Sequence, residues 1–317
     1  MSRRIFLPVI DWSKSLPSIS KFLYISRQLN TLFSLSYWLE RSTASERIYS
    51  GMKPIKLFWS RGSGRDDAGK QNFGDYLSAL TVEFVSGRKV VHSPVKDAEM
   101  IAIGSILARE KKAKSWGFRR KLHVWGTGSS TPGDVFSGHH HYHAVRGRKC
   151  LEQIKRLNGQ PVLGDPGLLA SSLVKKPALK TIRVGIIPHI NHRNSPEIAS
   201  LLSLIPGSRV IDVFSPVKQV LEQIASCEFV LSTSLHGLIV ADSYGVPNQW
   251  LCMKRYPQWE FKFQDYYSSF GIVDPVPVTP EQIHLDKAWS IERSTEGYSR
   301  PGLESLQEGL VKAFPSL

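Results

Sequence analysis

From Arg183 to Cys252 short runs of Val, Ile, Leu and Phe alternate with helical stretches, and this alternation constrains the fold more than any other feature. Arg183 to Ile187 reads as a strand, Pro196 to Leu204 as a helix and Arg209 to Phe214 as the next strand. Ser215 and Pro216 then supply an N-cap and a first-turn proline for a helix with Val217, Val220, Leu221 and Ile224 on one face. Glu228 to Ser232 is a strand, and Leu235 to Tyr244 a helix with Gly245 as its C′ residue. Gln249 to Cys252 closes the series as a strand. Such an order implies parallel βαβ units with right-handed crossovers, hence a Rossmann-like α/β domain. Ser232-Thr233-Ser234-Leu235-His236-Gly237 opens a helix at its expected active site.

The first half carries the same signature from Ile55 onward. Ile55 to Trp59, Met100 to Ile103, Leu122 to Trp125 and His143 to Val145 read as strands. Asn72 to Val85, stopped by Gly87, and Lys149 to Leu157 read as helices, and Arg61 to Lys70 as a loop. Residues 13–41 read as an amphipathic helix that packs on its own domain or lies in a membrane interface. Gly164 to Lys180 reads as a linker, and Trp259 to Phe270 and Pro301 to Phe314 as two further helices, the second folding back on the first domain. The expected organisation is an N-terminal helical extension (1–50), two Rossmann-like domains (51–170 and 181–290) facing across a cleft, and a C-terminal helix (291–317).

The 317 residues, 41% hydrophobic and 21% charged, suit a globular chain of two ordinary domains. Three scattered cysteines without a CxxC pair argue against a disulfide framework or zinc cluster and for a reducing cytoplasm. No apolar run reaches membrane-span length, and Met1 to Ile10 has too short an apolar region for a cleaved signal peptide. The net charge of +14 favours anionic partners: nucleic acid, an anionic membrane surface, or phosphorylated or acidic substrates. Its densest cluster, Arg109 to Lys121 around Trp116 and Phe118, reads as a basic loop, a headgroup contact or a single-strand binder. No recognisable nucleic-acid module accompanies it, so nucleic acid is not the expected partner.

In open parallel sheets the ligand lies beyond the carboxyl ends of the strands. Polar clusters fall at such places: Asn72-Phe73-Gly74-Asp75, Gly104-Ser105, Gly126-Thr127-Gly128-Ser129, Arg146-Gly147, His189 with His192-Arg193, and Thr233 to Gly237. None matches GxGxxG or GxxxxGK[ST], which disfavours NAD and Walker-type ATP sites. His236 at a helix start is the strongest candidate for chemistry, since the helix dipole lowers its pKa until an anion arrives. A cap or a packing role explains it equally, and Ser234 reads as the N-cap. Arg146 suits carboxylate or phosphate, or an interdomain salt bridge. His139-His140-His141-Tyr142-His143 reads as a loop without supporting ligands, so no metal is expected.

These residues, in this order, resemble the polysaccharide pyruvyl transferase family, especially bacterial exopolysaccharide ketal-pyruvate transferases. The resemblance runs over roughly residues 55–272 and rests on Asn72-Phe73-Gly74-Asp75, Ile103-Gly104-Ser105, Val124 to Gly128, Ala144 to Gly147, Gly164 to Leu169, Ile187-Pro188-His189, Ser232 to Pro247 and the tail Phe261 to Tyr267. It implies a GT-B-like pair of Rossmann-like domains. It also implies transfer of the carboxyethylidene group of phosphoenolpyruvate, the donor substrate, to two hydroxyls of a saccharide without a further cofactor. His236 would then be the acid/base, with Arg146 and the backbone at Leu235 holding phosphoenolpyruvate. Ser234 stands where some members carry arginine, so the phosphate's counter-charge must come from elsewhere: Arg193, Lys254, Arg255 or Lys262. Asn72, Asp75, Gly126, His189 and Ser234 complete the candidate substrate-binding set.

The acceptor implied is an exopolysaccharide or lipid-linked oligosaccharide. The expected location is the cytoplasm, with peripheral contact at the inner face of an anionic membrane. The competing readings are a GT-B glycosyltransferase using a nucleotide sugar and a basic nucleic-acid-binding protein. A missing Glu/Asp ribose clamp speaks against the first, and the absent modules against the second.

Overall fold

In the computed structural model the described residues are 52–62, 71–113, 121–177, 179–286 and 289–317. The extension 1–50, its helix at 13–41 and the part of the basic cluster at 114–120 lie outside them. The described residues build two parallel sheets. The first contains β1 (Ile55–Phe58), β2 (Val90–His92), β3 (Met100–Ile101), β4 (His123–Trp125), β5 (His141–Val145) and β6 (Val162–Leu163), in the order β2-β1-β3-β4-β5-β6. The second contains β7 (Ile182–Ile187), β8 (Ser208–Val210), β9 (Cys227–Ser232) and β10 (Asn248–Trp250), in the order β10-β9-β7-β8. All pairs are parallel. Each sheet places its second strand on one side of the first and its third on the other, so each has a topological switch point, at β1/β3 and at β7/β9. The register pairs Ile187 with Ser232, which sets the carboxyl ends of β7 and β9 level.

The helices follow from local chemistry. α1 (Phe73–Ser86) starts where the Asn72 side chain accepts from the Gly74 amide at 2.9 Å. In the second half come α4 (Pro196–Leu204), capped by Ser195, α5 (Val217–Ala225) and α6 (Leu235–Ser243). Pro216, rather than Ser215, occupies the N-cap of α5, and no side chain caps it. α6 is buried at every residue but His236, so its apolar character all round reflects a helix packed on all sides. α7 (Pro257–Ser268), α8 (Pro280–Leu285), α9 (Ile291–Glu296) and α10 (Leu303–Lys312) follow the last strand.

Three further local expectations need correction. Gly164 to Lys180 carries structure of its own: a 3-10 turn at Pro166–Leu169, capped by Asp165, runs into α3 (Ala170–Leu173). Its Leu168, Leu169 and Ala170 are buried, and the Tyr244 hydroxyl bonds the carbonyls of Ala170 and Val174. The histidine run enters β5 instead of forming a loop, and His143 meets His123 on β4 across 2.9 Å. Finally α2 (Arg148–Glu152) is shorter than the helix read to Leu157, and β6 follows it.

The C-terminal segment is clasped by one carboxylate. Fully buried Asp242 on α6 accepts from the hydroxyls of Tyr266 and Tyr298, from Arg300 Nε at 2.9 Å and from Asn248. α10 reaches the first sheet, where Trp125 Nε1 donates to the Leu310 carbonyl at 2.9 Å.

Candidate active site

The β7/β9 switch point carries His189 and His192 on the loop after β7 and His236 at the start of α6, and one threonine ties the two segments together. Thr233 Oγ1 accepts from the His189 amide at 2.7 Å and lies 3.1 Å from His192 Nδ1. Three residues on, His236 sits in the first turn of α6. Ser234 occupies the N-cap position but makes no capping bond; its backbone is held by Ser232 Oγ, which accepts from the Ser234 amide and donates to its carbonyl. The first-turn amides at Leu235, His236 and Gly237 are therefore uncapped by a side chain, the arrangement that receives anions at a helix start.

The first sheet meets this helix through α1. A Cβ built on Gly74 would fall 2.1 Å from His236 Nδ1 and 2.6 Å from its Cβ. Gly74 is thus the surface against which the imidazole lies, and only a residue without a side chain fits there. Gly74→Ala is expected to cost about 1–3 kcal/mol of stability by overpacking and to turn the imidazole out of place. Chemical denaturation together with an activity assay checks this; an alanine variant with wild-type turnover would show that the imidazole's position is unimportant.

Asp75, next in α1, and Lys262, on α7, complete the group around His236. Each keeps a path to solvent while protein surrounds most of it, so its charge is poorly hydrated. Burial pushes the Asp75 carboxyl up to about 7, against the pull of Lys262. Burial, then the Arg146 charge, brings Lys262 down to about 8, with Asp75 opposing. Burial, then the charges of Lys262 and Arg146, holds His236 near a pKa of about 3, and burial with Lys262 and the neighbouring histidines does the same to His189. Both imidazoles are neutral at pH 7.

Arg146, at the end of β5, has no exposed surface. Its Nε donates to Asp265 Oδ2 at 2.8 Å, one terminal nitrogen to Ser105 Oγ at 2.8 Å and the other to the Ser129 carbonyl at 2.5 Å. Asp265 Oδ1 accepts from the Cys150 amide at 2.7 Å. The salt bridge is the role the geometry displays, and it fastens α7 to the first sheet.

The other candidates separate. Asn72 caps α1, and Gly126, with φ 84°, faces Pro166 so closely that a Cβ would fall 2.1 Å from its ring. Arg193 stacks on Phe214 at 4.9 Å, Lys254 lies over Tyr256 at 5.1 Å, and Arg255 pairs with Glu260 at 2.7 Å. The cations whose charge reaches His236 are Lys262 and Arg146. Asp265, Thr233 as a tie and Trp259 are functional residues that sequence reasoning missed; a tryptophan three residues before Lys262 on one helix face was the available signal. Among the described residues no cluster of three or more His, Cys, Asp or Glu is arranged to hold a metal ion, and no helix is long and apolar enough to cross a membrane.

The sequence is similar to known proteins over part of its length. The profile of the family described as polysaccharide pyruvyl transferase matches residues 72–248, from the cap of α1 to the start of β10, a narrower span than 55–272. The chain is 29% identical over 160 residues to an uncharacterized protein of Acanthamoeba polyphaga mimivirus, covering 47% of this chain and 55% of the viral one. It thus spans about half the length of the relative it matches. No solved structure matches the chain.

Proposed function

Because the chain belongs to the polysaccharide pyruvyl transferase family, we propose that it transfers the carboxyethylidene group of phosphoenolpyruvate to two hydroxyls of a saccharide, with His236 as the acid. The observation that carries this reading is His236 itself: the one partly exposed residue of a buried helix, set against Gly74 and between Lys262 and an uncapped helix start. Two doubly wound sheets, whose carboxyl-end residues meet at His236, support a GT-B-like arrangement of the two halves.

Phosphoenolpyruvate brings a phosphate and a carboxylate. Lys262 and the first-turn amides of α6, at Leu235 and its neighbours, offer the charge and N–H groups that receive them. Arg146 acts from beneath, through its field and by fixing Ser105. The anion reverses the local field, raises the His236 pKa and lets the imidazole carry a proton. That proton passes to the methylene carbon, which becomes methyl, and the adjacent carbon becomes oxocarbenium-like. A first sugar hydroxyl attacks that carbon, its C–O bond to phosphate breaks, and the second hydroxyl closes the ketal. Of the two hydroxyl protons, one restores His236 and the other leaves with phosphate. Asp75, sharing the field of Lys262, is suited to relay the hydroxyl proton.

Lys262 gives the binding step a pH signature. An anion binds the charged amine, so affinity holds below about pH 8 and weakens by roughly tenfold per unit above it. Titrations of phosphoenolpyruvate across the alkaline range check this; Lys262→Arg should remove the slope, and a slope unchanged in that variant would exclude Lys262. The donor itself is tested by thermal-shift titration with phosphoenolpyruvate beside UDP- and GDP-sugars. Stabilisation by phosphoenolpyruvate alone is expected, whereas stabilisation by nucleotide sugar alone would replace pyruvyl transfer by glycosyl transfer.

A further inference from the structure

Trp259 is 40% exposed, whereas Trp59, Trp125 and Trp250 are buried and Trp289 is half-buried. Single exposed aromatics are ordinary on protein surfaces. This one differs in how it is held. The His189 ring meets it edge-on at 5.1 Å and 81°, the His192 ring lies at 6.0 Å, and Lys262 Nζ sits 5.0 Å from its centroid. Both histidines are tied through Thr233 to the loop that delivers His236, and Lys262 is one of the two cations whose charge reaches His236. The indole is therefore held by residues that border the His236 site, so little side-chain freedom remains to be lost when a ligand covers it.

We infer that Trp259, flanked by His189 and His192, is the platform on which a pyranose ring of the acceptor saccharide stacks. A pyranose presents a face of C–H groups that packs on an indole, while its hydroxyls need donors and acceptors around the rim. Each imidazole has its Nδ1 engaged within the protein, His192 at Thr233 Oγ1 and His189 accepting from the Asn191 amide, which leaves its Nε2 to meet a hydroxyl. An exposed platform also suits an acceptor that continues in both directions as a polymer, which a closed pocket would exclude. Trp259 lies beyond residues 72–248, in the part of the chain outside the shared family profile. The acceptor role rests on the pyruvyl-transfer reading; stacking of a saccharide on Trp259 does not.

Saturation-transfer NMR with cellotriose, galactotriose and mannotriose tests the platform directly. Wild-type protein should transfer saturation to pyranose C–H protons of at least one trisaccharide. Trp259→Ala should lose that signal by about tenfold and Trp259→Phe should retain part of it. Thermal stabilisation by phosphoenolpyruvate should stay within about twofold of wild type in both variants, which shows that the fold and donor site survive. Full transfer to Trp259→Ala, or no transfer from wild type to any of the three sugars, would overturn the platform. Trp259-dependent sugar binding without any response to phosphoenolpyruvate would instead sink pyruvyl transfer and leave the platform standing.

Discussion

Replacing His236 by glutamine lowers turnover by about 10²- to 10⁴-fold while the affinity for phosphoenolpyruvate changes only a few-fold. Glutamine keeps a side chain against Gly74 and the first turn of α6, so the anion site should persist. What disappears is a group that holds a proton once the anion is bound and surrenders it to carbon. Phosphate release in the presence of acceptor reads the loss, and thermal stabilisation by phosphoenolpyruvate reads the retained binding. Wild-type turnover in His236→Gln would remove this residue from the chemistry. Loss of binding with unchanged turnover at saturation would make it a ligand instead.

Arg146→Ala is expected to destabilise the protein by about 3–5 kcal/mol. Its guanidinium and the Asp265 carboxylate have no exposed side-chain surface, so removing the cation leaves a buried carboxylate bonded by the Cys150 amide but without its ion-pair partner. Ser105 Oγ and the Ser129 carbonyl lose their partner at the same time. Denaturant unfolding measures the loss, and a double-mutant cycle identifies its cause. Arg146→Met combined with Asp265→Leu should recover much of the stability, because a buried pair replaced on both sides leaves no unpaired charge. If Arg146→Ala unfolds like wild type and only loses phosphoenolpyruvate, the guanidinium is a direct ligand and the role assigned to it here is wrong.

The contrast between these residues shows what a sequence makes visible. The strand–helix alternation of 182–250 was legible because parallel strands buried on both faces read as continuous apolar runs, such as Phe229-Val230-Leu231. Asn72, at a cap position followed by Phe, Gly and Asp, and His236, at a helix start, were legible because local chemistry places them. Arg146 was visible as a cation at a strand end, but its partner Asp265 is 119 residues away. No local pattern decides between ligand and ion pair at that separation. Lys262 was one of four candidate cations, and only packing distinguishes it from Arg193 and Lys254, which stack on Phe214 and Tyr256. The segment after Gly164 misled because prolines and lysines near its end suggest a linker, while Leu168 and Leu169 are drawn into the core. Trp259 carried too little signal, since the two histidines that frame it come from the β7 loop.

The central claim is that His236 delivers a proton to the methylene carbon of phosphoenolpyruvate, and deuterium reports that transfer at the atom concerned. Phosphoenolpyruvate and oligosaccharides of glucose, galactose and mannose are incubated with the enzyme in deuterium oxide and followed by proton NMR. The expected result is loss of the vinyl protons in step with phosphate release and growth of a singly deuterated methyl group on a sugar-linked ketal, absent with His236→Gln. Persistence of the vinyl signals while nucleotide sugars are consumed, or the same deuterated methyl formed at wild-type rate by His236→Gln, would contradict it.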